Sequence, residues 1–233
     1  MPGSVGPVGS RGAALSAWES VAPTAPDGLT AICTVFKGNA SAFGQYFGSQ
    51  SSLRRIIAPL TRVPGASTRS GTAKLLPLQK RWAGCGEGEA LAQCRRSPRT
   101  TFDASSVYIA KSLGSSGAAA FVQAADAGAT LICDAYGGAI SDVSPTATAF
   151  AHRNVRFSVQ IASFTSIGTA TAVVRRARGL IAPFGNGGAY PNYADLALKN
   201  PQQAYYGQNL PRLRQIKQQV DPDDRFRTAQ GIS

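Results

Sequence analysis

The chain has a single histidine, His152, and four cysteines among 233 residues. No CxxC pair occurs, so the close His and Cys spacing of a zinc site is missing. There is no Gly-x-Ser-x-Gly elbow for a Ser–His–Asp hydrolase, although His152 and several aspartates are present. No Walker A or GxGxxG run follows a strand, so the chain shows no phosphate-cradling loop of its own. No apolar run approaches the length of a membrane-spanning helix. The opening, MPGSVGPVGSRGAALSAW, lacks a charged segment followed by an apolar core and does not read as a signal peptide, which leaves the cytoplasm as the default expectation. Acidic residues are scarce, 12 against 24 basic, for a net charge of +12. That excess raises nucleic acid as a partner. However, the basic residues are scattered, with Arg54-Arg55, Arg95-Arg96 and Arg175-Arg176-Arg178 the densest clusters, and no aromatic-interleaved basic stripe appears. Neither a nucleic-acid nor a membrane partner is expected.

What is present is a globular composition, 43% hydrophobic and 8% aromatic, on a chain long enough to bury a real core. Residues 1–12 are rich in Gly, Pro and Ser and read as disordered. Leu15, Trp18 and Val21 recur at helical spacing, predicting a short helix over 13–21. Leu29 to Phe36 reads as a strand, and 44–48 as a short second strand or turn. Leu53, Ile56, Ile57 and Leu60 predict an amphipathic helix capped by Ser51 or Ser52 and ended near Pro59. Residues 61–82 show no clear period. A strand-like piece at 107–110 precedes a helix over 117–127, with Gly128 beyond its end. Residues 129–136 read as a buried strand and 137–140 as a turn into another extended piece. Val155, Phe157, Val159 and Ile161 alternate with Arg156, Ser158 and Gln160, which puts Gln160 on the polar face of a strand, against water or a cleft. Residues 166–180 read as a weak helix at best. Cys33 and Cys133 lie in apolar runs and read as buried thiols. Cys85 and Cys94 flank a Gly/Glu-rich loop and are candidates for a small disulfide in an oxidising compartment. The order predicts an α+β fold, a largely antiparallel sheet covered by helices on one face.

The densest run of unusual residues closes the chain. Tyr190, Tyr193, Tyr205 and Tyr206 fall within 17 residues, out of 7 Tyr in all. Tyrosines around an Asn suit a pocket wall, each with a flat apolar body and a polar tip; they equally suit a segment that merely closes the core. Asn209 reads as the N-cap of a helix with Pro211 in its first turn. Leu210, Leu213, Ile216 and Val220 form its apolar face, and Asp221-Pro222 ends it.

This closing run, YPNYADL followed by AYYGQNLPRLRQIKQQVDPDDRFR, resembles the C-terminal segment of the berberine bridge enzyme-like branch of FAD-linked oxidoreductases. SAWESVAPTAPDGLT, WAGC…AQC, DAYGGAI and TAFAHRNVRFSVQ resemble successive stretches of bacterial members, so the likeness runs from about Trp18 to Gln230. The resemblance implies a substrate-binding α+β domain over 13–180 and a berberine-like segment over 181–233, whose helix packs back toward a flavin domain. It implies FAD as cofactor and a small-molecule alcohol, sugar or aromatic substrate that gives up a hydride. It places Gln160 and Tyr190 as catalytic residues, with Asn192 and Tyr193 on the cofactor-facing wall. A basic side chain that assists the tyrosine in some members is Ser158 here, a departure from the pattern. The Gly-Gly-His-Ser flavin-attachment domain of the family is not in this sequence. The chain is therefore expected to be a portion that is inactive alone, with a separately encoded FAD-binding domain as partner; a non-catalytic remnant or binding module is the alternative. Full-length relatives leave export open.

Overall fold

The computed structural model describes residues 3–5, 8–86, 89–90 and 99–233. Its strands are β1 (Gly3–Val5), β2 (Leu29–Phe36), β3 (Asn39–Tyr46), β4 (Asp103–Ile109), β5 (Thr130–Ala135) and β6 (Phe157–Ser163). The helices are α1 (Val8–Val21), α2 (Gln50–Ile56), α3 (Ala58–Thr61), α4 (Leu75–Trp82), α5 (Gly114–Asp126), α6 (Ala139–Asp142), α7 (Ile167–Ile181), α8 (Pro201–Tyr206) and α9 (Leu210–Val220). The six strands form one sheet in the order β1-β3-β2-β5-β6-β4, with every neighbouring pair antiparallel.

Period-two alternation gives this sheet two unlike faces. One cross-strand row runs Ala42, Cys33, Cys133, Val159, Val107. It belongs to a core that also contains Leu15 and Trp18 of α1, Phe121 of α5, and Val174, Ala177 and Ile181 of α7. The three helices therefore cover one face, and the fold is α+β as the alternation predicts. Trp18 meets Phe157 edge-on at 5.3 Å, an arrangement that favours aromatic quadrupoles. Buried Glu19 ties three elements together. It accepts from the Leu113 amide at 3.1 Å and from Arg156 Nε at 3.2 Å, which compensates a carboxylate that would be costly to bury unpaired. Cys33 and Cys133 are buried free thiols, and burial pushes Cys33 up to about 12 and raises Cys133 as well.

Several local expectations need correction. The first helix starts at Val8, not Ala13, and Arg11, within the stretch read as disordered, is fully buried with a bidentate pair to Asp126 at 2.9 and 3.1 Å. The α2 cap is Ser49, whose hydroxyl accepts from the Ser52 amide. A helix, α4, occupies part of the stretch that shows no period. The glycines at 137–138 lead into the one-turn α6 rather than an extended piece. Residues 167–181 form a full 15-residue helix that buries Ala170, Val174, Ala177 and Ile181. Those positions are one helical stripe in which two alanines alternate with Val174 and Ile181, which reads weakly by hydrophobicity yet lets the helix approach the sheet closely. The Cys85–Cys94 pairing lies outside the described residues.

Candidate functional site on the open sheet face

The opposite face carries two rows that α1, α5 and α7 leave uncovered. The first runs Phe43, Ile32, Asp134, Ser158, Tyr108, and the second Ser41, Thr34, Ile132, Gln160, Ser106. At β2 and β5 this face is only half-buried, whereas Ser106, Tyr108 and Ser158 are buried. The difference comes from the closing segment, which runs along the free edge of β4. The Asn186 amide donates to Tyr108 O at 3.0 Å and the Tyr108 amide to Gly188 O at 3.4 Å. The Tyr190 amide donates to Ser106 Oγ at 2.7 Å, and Ser105 Oγ donates to Asp195 Oδ2 at 2.6 Å. An otherwise unpaired edge is thereby satisfied, and the tyrosines are carried over the open face.

Gln160 and Tyr190 consequently meet at a shared neighbour, because Ser106 is both the cross-strand partner of Gln160 and the acceptor for the Tyr190 amide. The Asn192 side chain donates to the Tyr190 hydroxyl at 2.8 Å. The Tyr193 ring stands edge-on to Tyr190, 5.0 Å away and 87° inclined. Asn192 is exposed, and Tyr190, Tyr193 and Gln160 are half-buried. The four expected site residues thus lie on one side of one surface.

The structure adds residues to this surface. Asp134 lies in the row beside Ser158, and partial burial raises its carboxyl while a hydrogen bond with Ser158 opposes the rise. Position 158, where a basic residue was expected, thus carries a hydroxyl as the cross-strand neighbour of a carboxylate. Burial also raises Tyr193, with the nearby Asp134 charge adding to the effect. Tyr136 is raised by burial too. The Tyr108 and Tyr136 hydroxyls face one another without forming a well-aligned hydrogen bond. Tyr108 stacks on His152, 4.3 Å between centroids and 25° between planes. His152 Nε2 lies 3.0 Å from Tyr205 O, linking the site floor to the closing segment. A signal for Asp134 and Tyr136 was present in the alternation of LICDAY: if Leu131 and Cys133 face the core, Ile132, Asp134 and Tyr136 face away. Among the described residues no group of three His, Cys, Asp or Glu side chains is placed to hold a metal, and no helix is long and apolar enough to cross a membrane.

An antiparallel sheet with helices on one face and an aromatic, hydrogen-bonding opposite face places the chain in the α+β class. Residues 189–233 match the family model described as "Berberine and berberine like". The chain is 28% identical over 227 residues to an uncharacterized FAD-linked oxidoreductase, YgaK, of Bacillus subtilis, covering 92% of this chain and 48% of the relative. It is 28% identical over 228 residues to a chitooligosaccharide oxidase of Gibberella zeae, covering 89% and 46%. In fold it superposes on Physcomitrella patens BBE-like 1 with a TM-score of 0.91 and 25% identity, over 100% of this chain and 53% of that one. Residues 189–233 thus carry a berberine-like segment, the chain as a whole is similar to FAD-linked oxidoreductases and to berberine bridge enzyme-like structures, and it spans about half the length of the relatives it matches.

Proposed function

We infer that the open face is the substrate floor of an FAD-dependent oxidoreductase that oxidises an alcohol, sugar or aromatic hydroxyl compound. The observation that carries this is the convergence of Gln160, Asp134, Tyr190, Tyr193 and Asn192 on one half-covered surface. The residues suit a flat ring and a hydroxylated ligand. Tyr190 and Tyr193 offer aromatic walls, Gln160 offers both donor and acceptor, and nothing there is built to hold a pyrophosphate. FAD, when bound, supplies the acceptor for the hydride that leaves the substrate carbon. On the protein side, Gln160 orients the substrate hydroxyl from the polar face of β6. Tyr190, as its tyrosinate, takes the hydroxyl proton, and the Asn192 amide, already aimed at the phenolic oxygen, stabilises that anion before the transfer. Tyr193, held by its edge-on packing, keeps water from the reacting bond. Asp134 and Ser158 set the polarity of the floor beneath them.

FAD comes to this chain by resemblance, and the residues of this surface fit only the ring-and-substrate side of such a site. We therefore infer that the chain alone does not retain FAD and that a separately encoded FAD-binding domain completes it. The test mixes the purified chain with FAD and follows flavin absorbance through gel filtration. The expected result is no stoichiometric flavin with the chain alone and flavin retained when a flavin-binding domain is co-expressed. Tight binding by the chain alone overturns the need for the second domain. In the flavin-loaded assembly, Tyr190→Phe is expected to lower kcat by about 10²–10⁴, the usual contribution of a positioned acid or base; an unchanged kcat removes Tyr190 from the chemistry.

A further inference from the structure

The sequence holds one Asn-Gly pair, Asn186-Gly187, at the start of the segment that lines the β4 edge. The other five asparagines precede Ala, Val, Tyr, Pro and Leu, whose side chains crowd their own nitrogens or, for proline, leave the nitrogen without a hydrogen. Asn186 and Gly187 are exposed, while Gly188 and Ala189 are buried. The Gly188 amide donates to Asn186 Oδ1 at 2.9 Å. That bond folds the carboxamide back over the Gly187 nitrogen between them and draws electron density from the carboxamide carbon. Gly187 has φ +85°, a region that glycine enters without steric cost, and a Cβ there would meet nothing within 4 Å. Among the described residues its amide donates to no acceptor. A free nucleophile, a polarised carbonyl and open space thus coincide at one backbone position.

We propose that Asn186-Gly187 modifies itself in the folded chain, and that the product loosens the segment carrying Tyr190. The Gly187 nitrogen attacks Asn186 Cγ. A C–N bond forms, the Cγ–Nδ2 bond breaks, and Nδ2 leaves as ammonia with the proton lost from Gly187, closing a five-membered succinimide. Water, the only co-reactant, then adds to one of the two ring carbonyls. Opening at one gives an aspartyl residue. Opening at the other gives an isoaspartyl residue, whose main chain runs through the side-chain carbons and is one methylene longer. The place matters because β4 grips the segment here: Tyr108 O accepts from the Asn186 amide at 3.0 Å, and the Tyr108 amide donates to Gly188 O at 3.4 Å. A methylene inserted between those two grips breaks their match to the N–H and C=O of a single residue. Gly188 has no room to absorb the extra length toward the sheet, since even a Cβ there would stand 2.6 Å from His152 Cε1. The displacement passes instead to the Tyr190 amide, two residues on, and its bond to Ser106 Oγ at 2.7 Å. Attack needs a deprotonated Gly187 nitrogen, so conversion quickens as pH rises. None of this depends on the oxidoreductase reading.

The experiment incubates the purified chain in mildly alkaline and mildly acidic buffer and maps its peptides by mass spectrometry, beside a synthetic peptide of residues 184–190. The expected result is a gain of one mass unit confined to the peptide that holds Asn186, faster in the alkaline buffer. An isoaspartyl carboxyl methyltransferase with a labelled methyl donor detects the longer-chain product. Asn186→Gln, whose side chain would have to close a six-membered ring, is expected to stay unconverted. In the converted fraction, hydrogen exchange is expected to show lost protection at the Tyr108 and Tyr190 amides. Freshly prepared Asn186→Asp, which carries the new charge without the extra methylene, is expected to keep that protection. An Asn186 that stays intact in the folded chain while the synthetic peptide converts overturns the site, as does a mass gain that falls first on another asparagine. Conversion with unchanged protection at Tyr190 overturns the loosening, and an equal loss of protection in Asn186→Asp overturns chain length as its cause.

Discussion

Asp134 shows how one position combines a stability cost with a place in the site. Its folded carboxyl lies above the ordinary 3.8 because partial burial disfavours the charge more than the Ser158 hydrogen bond supports it. A carboxyl raised in the folded state binds its proton more tightly there than when unfolded, so stability falls as pH rises through the interval above 3.8. Asp134→Asn removes that cost. It is expected to raise Tm at neutral pH by roughly 2–4 °C, the shift that about 1 kcal/mol gives in a chain of this size. The gain should fade as the pH approaches 3.8. Thermal melts of both proteins across that range check the sign, and a gain that grows in acid would refute it. At this scale the sequence was partly legible. Cys33 and Cys133 were recognisable as buried because apolar neighbours surround them in the chain. For Asp134 the alternation of LICDAY gives the face it points to, but not its partner, because a lone carboxylate gives no sign of which side chains oppose it across the strand.

At the scale of elements, α9 separates what a motif suggests from what packing does with it. Asn209 precedes Leu210 and Pro211 as a cap should, but its side chain makes no cap hydrogen bond. The carboxamide instead donates to Pro145 O at 2.8 Å and Thr148 O at 3.0 Å, pinning the helix start to the loop before β6. A cap needs an acceptor and a tether needs a donor. Asn209→Asp keeps the first and loses the second, placing a carboxylate against carbonyl oxygens. It is expected to cost about 1–3 kcal/mol in urea melts, whereas a true N-cap would tolerate the exchange. The rest of the helix face is also unlike its pattern, since Leu210 is buried while Ile216 is 37% and Val220 74% exposed. Helix α7 errs in the other direction. Its stripe of Ala170, Val174, Ala177 and Ile181 looks weak in sequence, yet it seats closely over β4 and β6 because the two alanines bring backbone near backbone.

For the whole molecule, the decisive relation is between the sheet and the closing segment. Ala189 donates to Ala204 O at 2.9 Å, the Tyr205 hydroxyl accepts from the Asp195 amide at 2.9 Å and donates to Gln230 at 3.1 Å, and His152 bridges to Tyr205 O. Burial holds His152 below its ordinary 6.5, opposed by its backbone contacts. A depressed histidine is neutral in the folded state and protonates more readily when unfolded. Its contribution is therefore complete above 6.5 and lost as pH falls through the folded value. Amide protection across 201–206, corrected for the intrinsic slowing of exchange in acid, is expected to fall on acidification below that point, and His152→Gln is expected to flatten the dependence. An unaltered pH profile in the variant would show that another group governs the docking.

The sequence by itself determined the alternation of β2, β5 and β6, the α+β class, the burial of Cys33 and Cys133 and the tyrosine-rich closing run, because these follow from backbone geometry and neighbours close in the chain. Only the tertiary structure decided which polar residues meet. Cross-strand register sets Asp134 beside Ser158 and Gln160 beside Ser106. The closing segment along the β4 edge brings Tyr190 to that same Ser106, and α4 places Trp82 on Phe43 at the far side of the face. Each of these pairs joins residues far apart along the chain, and such neighbours are fixed by hydrogen-bond register and packing, which no local pattern encodes.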